Sequence, residues 1–195
     1  RPRLPNIEGI RNPNVIGYAD VLSGATKLGD RVAIIGGGGI AFDVALYLLE
    51  AGDPSFRDPD AFRRRWGIGH PLPDIQPSHQ ITMMQRSEGP MGRRLGKSTG
   101  WIHRAIMKQN QVRQMSGVRY ERIDDLGIHV EVDGVTELVV ADTIVICAGQ
   151  EVRADLASGL TASSVDLHVI GGANRAAELD AERAISEGML AASSI

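Results

Sequence analysis

Residues 31–52 read RVAIIGGGGIAFDVALYLLEAG. A short apolar run rich in β-branched residues breaks at four glycines and resumes with alanines and leucines at helical spacing. That succession predicts a strand, a tight turn and a helix. Inside it, Gly36, Gly37, Gly38, Gly39, Ile40 and Ala41 match the pattern GxGxxA. Glycines at such a turn let the backbone fold sharply and approach a pyrophosphate. The helix that follows turns its unpaired N–H groups and the positive end of its dipole toward the anion. The pattern has little specificity alone, and a strand before it with a helix after it is the context that gives it meaning. All six residues are candidate contacts to a dinucleotide.

The rest of the chain extends this unit. Residues 1–29 carry Pro2, Pro5 and Pro13, then Tyr18, Val21 and Leu22 at helical spacing, which reads as a linker followed by a short helix. Residues 53–79 hold five prolines and the basic run Arg63 to Arg65, an irregular insertion with one short helix near Asp60 to Trp66. Gln80 to Arg86, QITMMQR, returns to strand character, and SEGPMGRRLGKSTG leads to a helix over Trp101 to Gln109 with Thr99 as its N-cap. Trp101 is expected in the core. Val112 to Met115 reads as a third parallel strand. The runs Val118 to Ile123, Gly127 to Val132 and Val135 to Val140 read as a meander, with Asp133-Gly134 a strong hairpin signal. Thr143 to Ala148, wholly apolar after its threonine, fits a central strand buried on both faces. A last strand is expected over Leu167 to Ile170, and a last helix from about Ala177 to Met189. The expected class is α/β: a Rossmann-like three-layer domain with a parallel sheet and an antiparallel β-meander.

The tip of the second strand decides which dinucleotide is preferred. An acidic residue there would bond the ribose hydroxyls of NAD or FAD. Here the strand ends Gln85-Arg86, and Arg93, Arg94 and Lys97 follow on a glycine-rich loop. A cationic cluster in place of a carboxylate favours the 2′-phosphate of NADPH. Glu88 is the nearest acid, and its reach to the ribose would reverse that preference. Ala148, Gly149 and Gln150, at the end of the last sheet strand, are expected beside the nicotinamide half, because ligands bind at the carboxyl ends of parallel strands.

Composition excludes other classes. With 195 residues, 43% of them hydrophobic, the chain can bury one full core. A net charge of −3 gives no general attraction to nucleic acid or to an anionic membrane surface. The single Cys147 rules out a disulfide framework or a cysteine-held cluster within these residues, and its apolar run predicts an inert thiol in a cytoplasmic protein. The histidines at 70, 79, 103, 129 and 168 show no ligand spacing, so neither a metal site nor a catalytic triad is assigned. His103-Arg104 is expected to be a packed or surface pair. The chain starts at Arg1, and RPRLPNIEGI reads as the exit from an earlier element, so a longer parent is expected.

The combination VAIIGGGGIAFDVALYL, QITMMQR, LGKSTGWIHR, IVICAGQE and HVIGGANRAAELDAERAI resembles the C-terminal part of bacterial NADPH-dependent 2,4-dienoyl-CoA reductases. Trimethylamine dehydrogenase shares their layout. The resemblance implies a parent with an N-terminal barrel holding FMN and a 4Fe–4S cluster, and a FAD domain into which an NADPH domain is inserted. By that layout residues 1–28 leave the FAD domain, 29–150 form the NADPH domain, and 151–195 return to the FAD domain. It implies that NADPH reduces FAD, that electrons pass on to FMN, and that the acyl-CoA substrate binds outside this chain, with no catalytic acid or base within it. It places Gly171, Gly172 and Ala173 near the FAD, with the helix entered through Glu178, Leu179 and Asp180 pointing toward the flavin. Gly172 stands where many such flavoproteins have Asp. The alternative reading is a structural ADP-binding module of a trimethylamine-dehydrogenase-like amine demethylase.

Overall fold

The structure is a computed structural model, and it describes residues 1–50, 53–71, 77–160, 166–177 and 180–194. The chain divides into two compact units, Leu4–Cys147 and a smaller one of Arg1–Arg3 with Ala148–Ile195.

The larger unit is built on a five-stranded parallel sheet. Its strands are β1 (Val15–Gly17), β2 (Arg31–Ile35), β3 (Gln80–Met84), β4 (Arg113–Met115) and β8 (Thr143–Ile146), in the spatial order β1-β8-β2-β3-β4. Strands β2 and β8 lie at the centre, and Val32 to Ile35 and Thr143 to Ile146 are all buried. Such runs show no alternation because helices or loops cover both faces. Helix α1 (Tyr18–Leu22) follows β1, α2 (Gly39–Glu50) links β2 to β3, and α4 (Gly100–Gln109) links β3 to β4. Phe42, Val44, Ala45 and Leu48 of α2 pack with Ile34, Met83 and Met107 as the main core cluster. Strands β5 (Arg119–Asp124), β6 (Gly127–Val132) and β7 (Val135–Val140) form a separate antiparallel meander. The α/β class with a parallel and an antiparallel sheet is as the sequence predicts.

Local chemistry accounts for most boundaries. Asp133 and Gly134 both have positive φ, at 52° and 79°, as a tight two-residue hairpin turn requires. In the insertion, α3 (Pro59–Arg65) starts with Pro59 at its first position, and the Asp58 carboxylate accepts from the Asp60 N–H at 2.9 Å. The basic run there splits in two. Arg65 is only 8% exposed and pairs with Glu50 and Asp53, which fastens the insertion to the end of α2, whereas Arg63 and Arg64 lie at the surface.

Five expectations need correction or refinement. Residues 1–28, read as a linker with a short helix, also supply β1, an edge strand paired with β8. Thr99 holds the N-cap position of α4 as expected, but with helical backbone angles and no side-chain capping bond, and a turn from Gly96 leads into the helix. Trp101 is 58% exposed and not in the core. Leu167 to Ile170 form no strand and are exposed, with no neighbouring described strand to supply ladder bonds. The last helix, α6, spans Ala181–Ala192 and starts later than expected.

Candidate dinucleotide-binding site

The glycine run lies between β2 and α2, in the connection that a Rossmann fold uses for phosphate. Gly36 has φ 144°, and a Cβ placed on it would stand 2.4 Å from the carbonyl oxygen of Cys147. Only glycine lets β2 and β8 converge there. The Gly36 N–H donates to the carbonyl of Met84 at 2.8 Å, which ties the turn to the end of β3. Ala41 and Phe42 then donate to the carbonyl of Gly38. The N–H groups of Gly37, Gly38, Gly39 and Ile40 donate to no backbone carbonyl among the described residues. A Cβ on Gly38 or Gly39 would meet nothing within 4 Å, so no protein atom crowds the turn at these two glycines. Free N–H groups at the positive end of a 12-residue helix, on a turn that no protein atom crowds at Gly38 and Gly39, fit a pyrophosphate.

Beside this turn stands the tip of β3. The Met84 carbonyl also accepts from the Tyr120 hydroxyl at 2.8 Å, so one oxygen joins the turn, β3 and the meander. Burial raises the Tyr120 hydroxyl pKa well above the ordinary phenol range, and the nearby Arg86 guanidinium opposes that shift. Gln85 donates to the Gly89 carbonyl at 3.0 Å and to Ser116 Oγ at 3.1 Å. Its amide is thereby engaged by the protein. Arg86 is exposed and makes no hydrogen bond or ion pair among the described residues.

The basic loop is anchored. Met91 and Gly92 are buried, and a Cβ on Gly92, whose φ is 72°, would stand 2.9 Å from the ring of Phe42. Arg104 donates to the Gly92 carbonyl at 3.3 Å, and the His103 ring stacks on Phe42 at 6.4 Å. His103-Arg104 therefore packs against the loop and the core beneath it, as expected of a packed or surface pair. Arg93, Arg94 and Lys97 follow directly from the anchored turn and are exposed. At the back of the turn, burial pushes the Cys147 thiol up to about 12, with Asp43 adding to the effect. An inert, buried cysteine is the consequence.

The smaller unit holds the remaining candidates. Gly149 has φ 95°, and the Arg3 side chain donates to the Ala148 carbonyl at 2.6 Å while the Arg3 N–H donates to that of Gly149 at 2.9 Å. Gln150 forms an isolated bridge with Pro2. Gly171, Gly172 and Ala173 form a single 3-10 turn. The Gly171 N–H donates to the Glu187 carboxylate at 2.5 Å, which lowers the pKa of Glu187 with further help from Arg183. Asp180 caps α6, its carboxylate accepting from the Arg183 N–H at 2.8 Å. Glu178 and Leu179 lie outside the described residues. Among the described residues no group of three His, Cys, Asp or Glu is placed to hold a metal ion, and no helix is long and apolar enough to cross a membrane.

A parallel sheet with a glycine turn at the carboxyl end of its central strand defines a dinucleotide-binding domain of the oxidoreductase type. Residues 1–178 match the pyridine nucleotide-disulphide oxidoreductase family, and the chain belongs to it. Membership implies FAD and NAD(P) as cofactors. A metal reductase of Desulforamulus reducens is 28% identical over 180 residues, covering 88% of this chain and 26% of that protein. A 2-naphthoyl-CoA reductase has the same fold with a TM-score of 0.74 at 24% identity, over 96% of this chain and 24% of its own. A 6-hydroxypseudooxynicotine amine oxidase from Pseudomonas geniculata gives 0.72 at 19% identity, over 98% and 26%. The chain spans about a quarter of the length of these proteins.

Proposed function

We propose that this chain is the NADPH-binding part of a flavoprotein oxidoreductase in which NADPH reduces FAD. The observation that carries the reading is the end of β3, where no carboxylate stands and exposed Arg86 leads into an anchored loop bearing Arg93, Arg94 and Lys97. Gly36 to Ala41 would hold the pyrophosphate, and those cations the 2′-phosphate. Bound there, NADPH supplies a hydride. The residues of this chain bind and orient it and provide no acid or base, since position is the protein's main contribution in such a transfer.

For the parent protein we propose reduction of an unsaturated acyl-CoA thioester, with 2,4-dienoyl-CoA as the substrate implied by the sequence resemblance. Likeness of fold to a 2-naphthoyl-CoA reductase supports that direction. The acyl-CoA site, the FMN and the 4Fe–4S cluster of that layout would all lie outside residues 1–195. Residues 151–195 would belong to the FAD domain, a reading supported by the exposed apolar side chains Leu156, Ile185, Met189 and Leu190.

The amine oxidase, at nearly the same TM-score, supports an amine-oxidising parent as a second reading, in which the sequence resemblance implies a structural ADP site. The cations after β3 weigh against it, because ADP offers them no 2′-phosphate. Calorimetric titration separates the two. The chain should bind NADPH more tightly than NADH, by about tenfold or more, and Arg86→Ala should erase the difference. Equal affinities in the unmodified chain would remove the NADPH assignment.

A further inference from the structure

We propose that Gln85 is a positioning residue for the dinucleotide, one that sets the preference for a 2′-phosphate without touching it. The inference rests on the NADPH reading above. Gln85 stands between the two halves of the site. On one side is the phosphate turn, where a Cβ on Gly37 would stand 2.2 Å from Gln85 Oε1 and 2.9 Å from its Cβ. On the other is the basic loop, where Nε2 donates both to the Gly89 carbonyl and to Ser116 Oγ.

The amide has one orientation. A backbone carbonyl can only accept, so the nitrogen must face Gly89 and the oxygen must face Gly37. The residue's own backbone is also fixed, with its N–H donating to Met115 at 2.9 Å and its carbonyl accepting from Val118 at 3.0 Å. A side chain rooted this firmly transmits its position to whatever it holds. Gly89 lies between Arg86 and Arg93, with φ 81°, so its bond to Gln85 closes the first half of the loop back onto the strand. The Gly117 N–H adds a bond to the Ser87 carbonyl at 3.0 Å from the same side.

A phosphate held by several long cationic side chains is bound best when their backbone is ordered before the ligand arrives. Gln85 supplies that order and registers the loop against the pyrophosphate turn. The spacing between the proposed pyrophosphate turn and the first half of the loop thus depends in part on this side chain, beside the Gly117–Ser87 bond. Glutamate would not replace it, because a carboxylate has no hydrogen to give Gly89 and would set a negative charge beside the 2′-phosphate.

The test is calorimetric titration of the chain, of Gln85→Leu and of Ser116→Ala with 2′,5′-ADP and with 5′-ADP. Gln85→Leu should weaken 2′,5′-ADP by about tenfold, or about 1.4 kcal/mol, and leave 5′-ADP within about twofold. Ser116→Ala, which keeps the bond to Gly89, should shift the ratio the same way by less. A side chain that merely fills space would lower both affinities together, and that result, or an unchanged ratio, overturns the proposal. If Gln85→Leu does not fold, the ratio in Ser116→Ala decides in the same terms. Equal binding of the two nucleotides by the unmodified chain overturns the NADPH reading and this inference together. A preference that survives in Gln85→Leu overturns this inference alone.

Discussion

The four glycines from Gly36 to Gly39 look interchangeable in the sequence, yet they answer to different neighbours. Gly36 is fixed by the carbonyl of Cys147, Gly37 by the side chain of Gln85, and Gly38 and Gly39 by no protein atom within 4 Å. The GxGxxA pattern makes Gly36 and Gly38 legible as candidate site residues. It leaves Gly37 as a free position, because the constraint comes from a residue 48 places away that meets it only in the folded sheet. The position of Arg86 just past β3 was legible for the opposite reason, since the end of that strand follows from local pattern alone. Stability and binding should separate cleanly at these glycines. Gly37→Ala must displace Gln85 and is expected to cost about 1–3 kcal/mol in urea denaturation, in the range of overpacked sites. Gly38→Ala has room and an unstrained backbone, so its stability should stay within about 1 kcal/mol of the unmodified chain. Its added methyl would enter the space proposed for the pyrophosphate, and NADPH affinity should fall by at least about tenfold in calorimetry. Normal NADPH binding by a folded Gly38→Ala would move the pyrophosphate away from this turn.

Among elements, the long periodic or wholly apolar segments were legible, and the short ones that depend on pairing were not. Strands β2, β3 and β8, helices α2 and α4, and the meander follow from period and turn chemistry. Strand β1 has three residues and exists through its pairing with β8, whereas Leu167 to Ile170 has strand composition and no described partner. Parallel strands also need their register fixed, and a pair of charges does this at the start of β2. Asp142, just before β8, accepts from the Arg31 backbone N–H at 2.9 Å and binds its guanidinium through both oxygens. Those hydrogen bonds, the side-chain bond first and the backbone bond second, hold the Asp142 carboxyl down to about 2. A carboxyl whose pKa is lowered on folding stabilises the fold above its unfolded pKa of about 3.9 and loses that contribution as pH falls below it. Asp142→Asn should therefore melt at a lower temperature than the unmodified chain by a constant margin above about pH 5, with the gap closing from about pH 4 toward pH 2. Paired melting curves by circular dichroism across that range check it. A gap that persisted undiminished at pH 2 would show that the ion pair is not its source.

At the scale of the whole molecule, the two compact units differ in how much they bury. In the larger unit, β2, β8 and α2 contribute Val32, Ile34, Phe42, Val44, Ile144 and Val145 with almost no exposure. In the smaller one, neither α5 (Asp155–Leu160) nor α6 contains a buried residue, and Ile185, Met189 and Leu190 of α6 stand mostly in solvent. Composition and hydrophobic fraction could not reveal this contrast, because α6 has the same mixture of apolar and charged residues as a helix with a covered face. Local opening is governed by buried apolar contacts and solvent access to backbone bonds, so the units should open independently and at different free energies. Hydrogen exchange read by mass spectrometry should find the amides of 155–160 and 181–192 exchanging at least about a hundredfold faster than those of 32–35 and 143–146. If NADPH binds the larger unit as proposed, it should slow exchange at 37–42 and 86–97 and leave 181–192 unchanged. Protection of α6 equal to that of β2 in the free chain would mean that its apolar face is covered, for instance by a second copy, which dilution of the sample would then reverse.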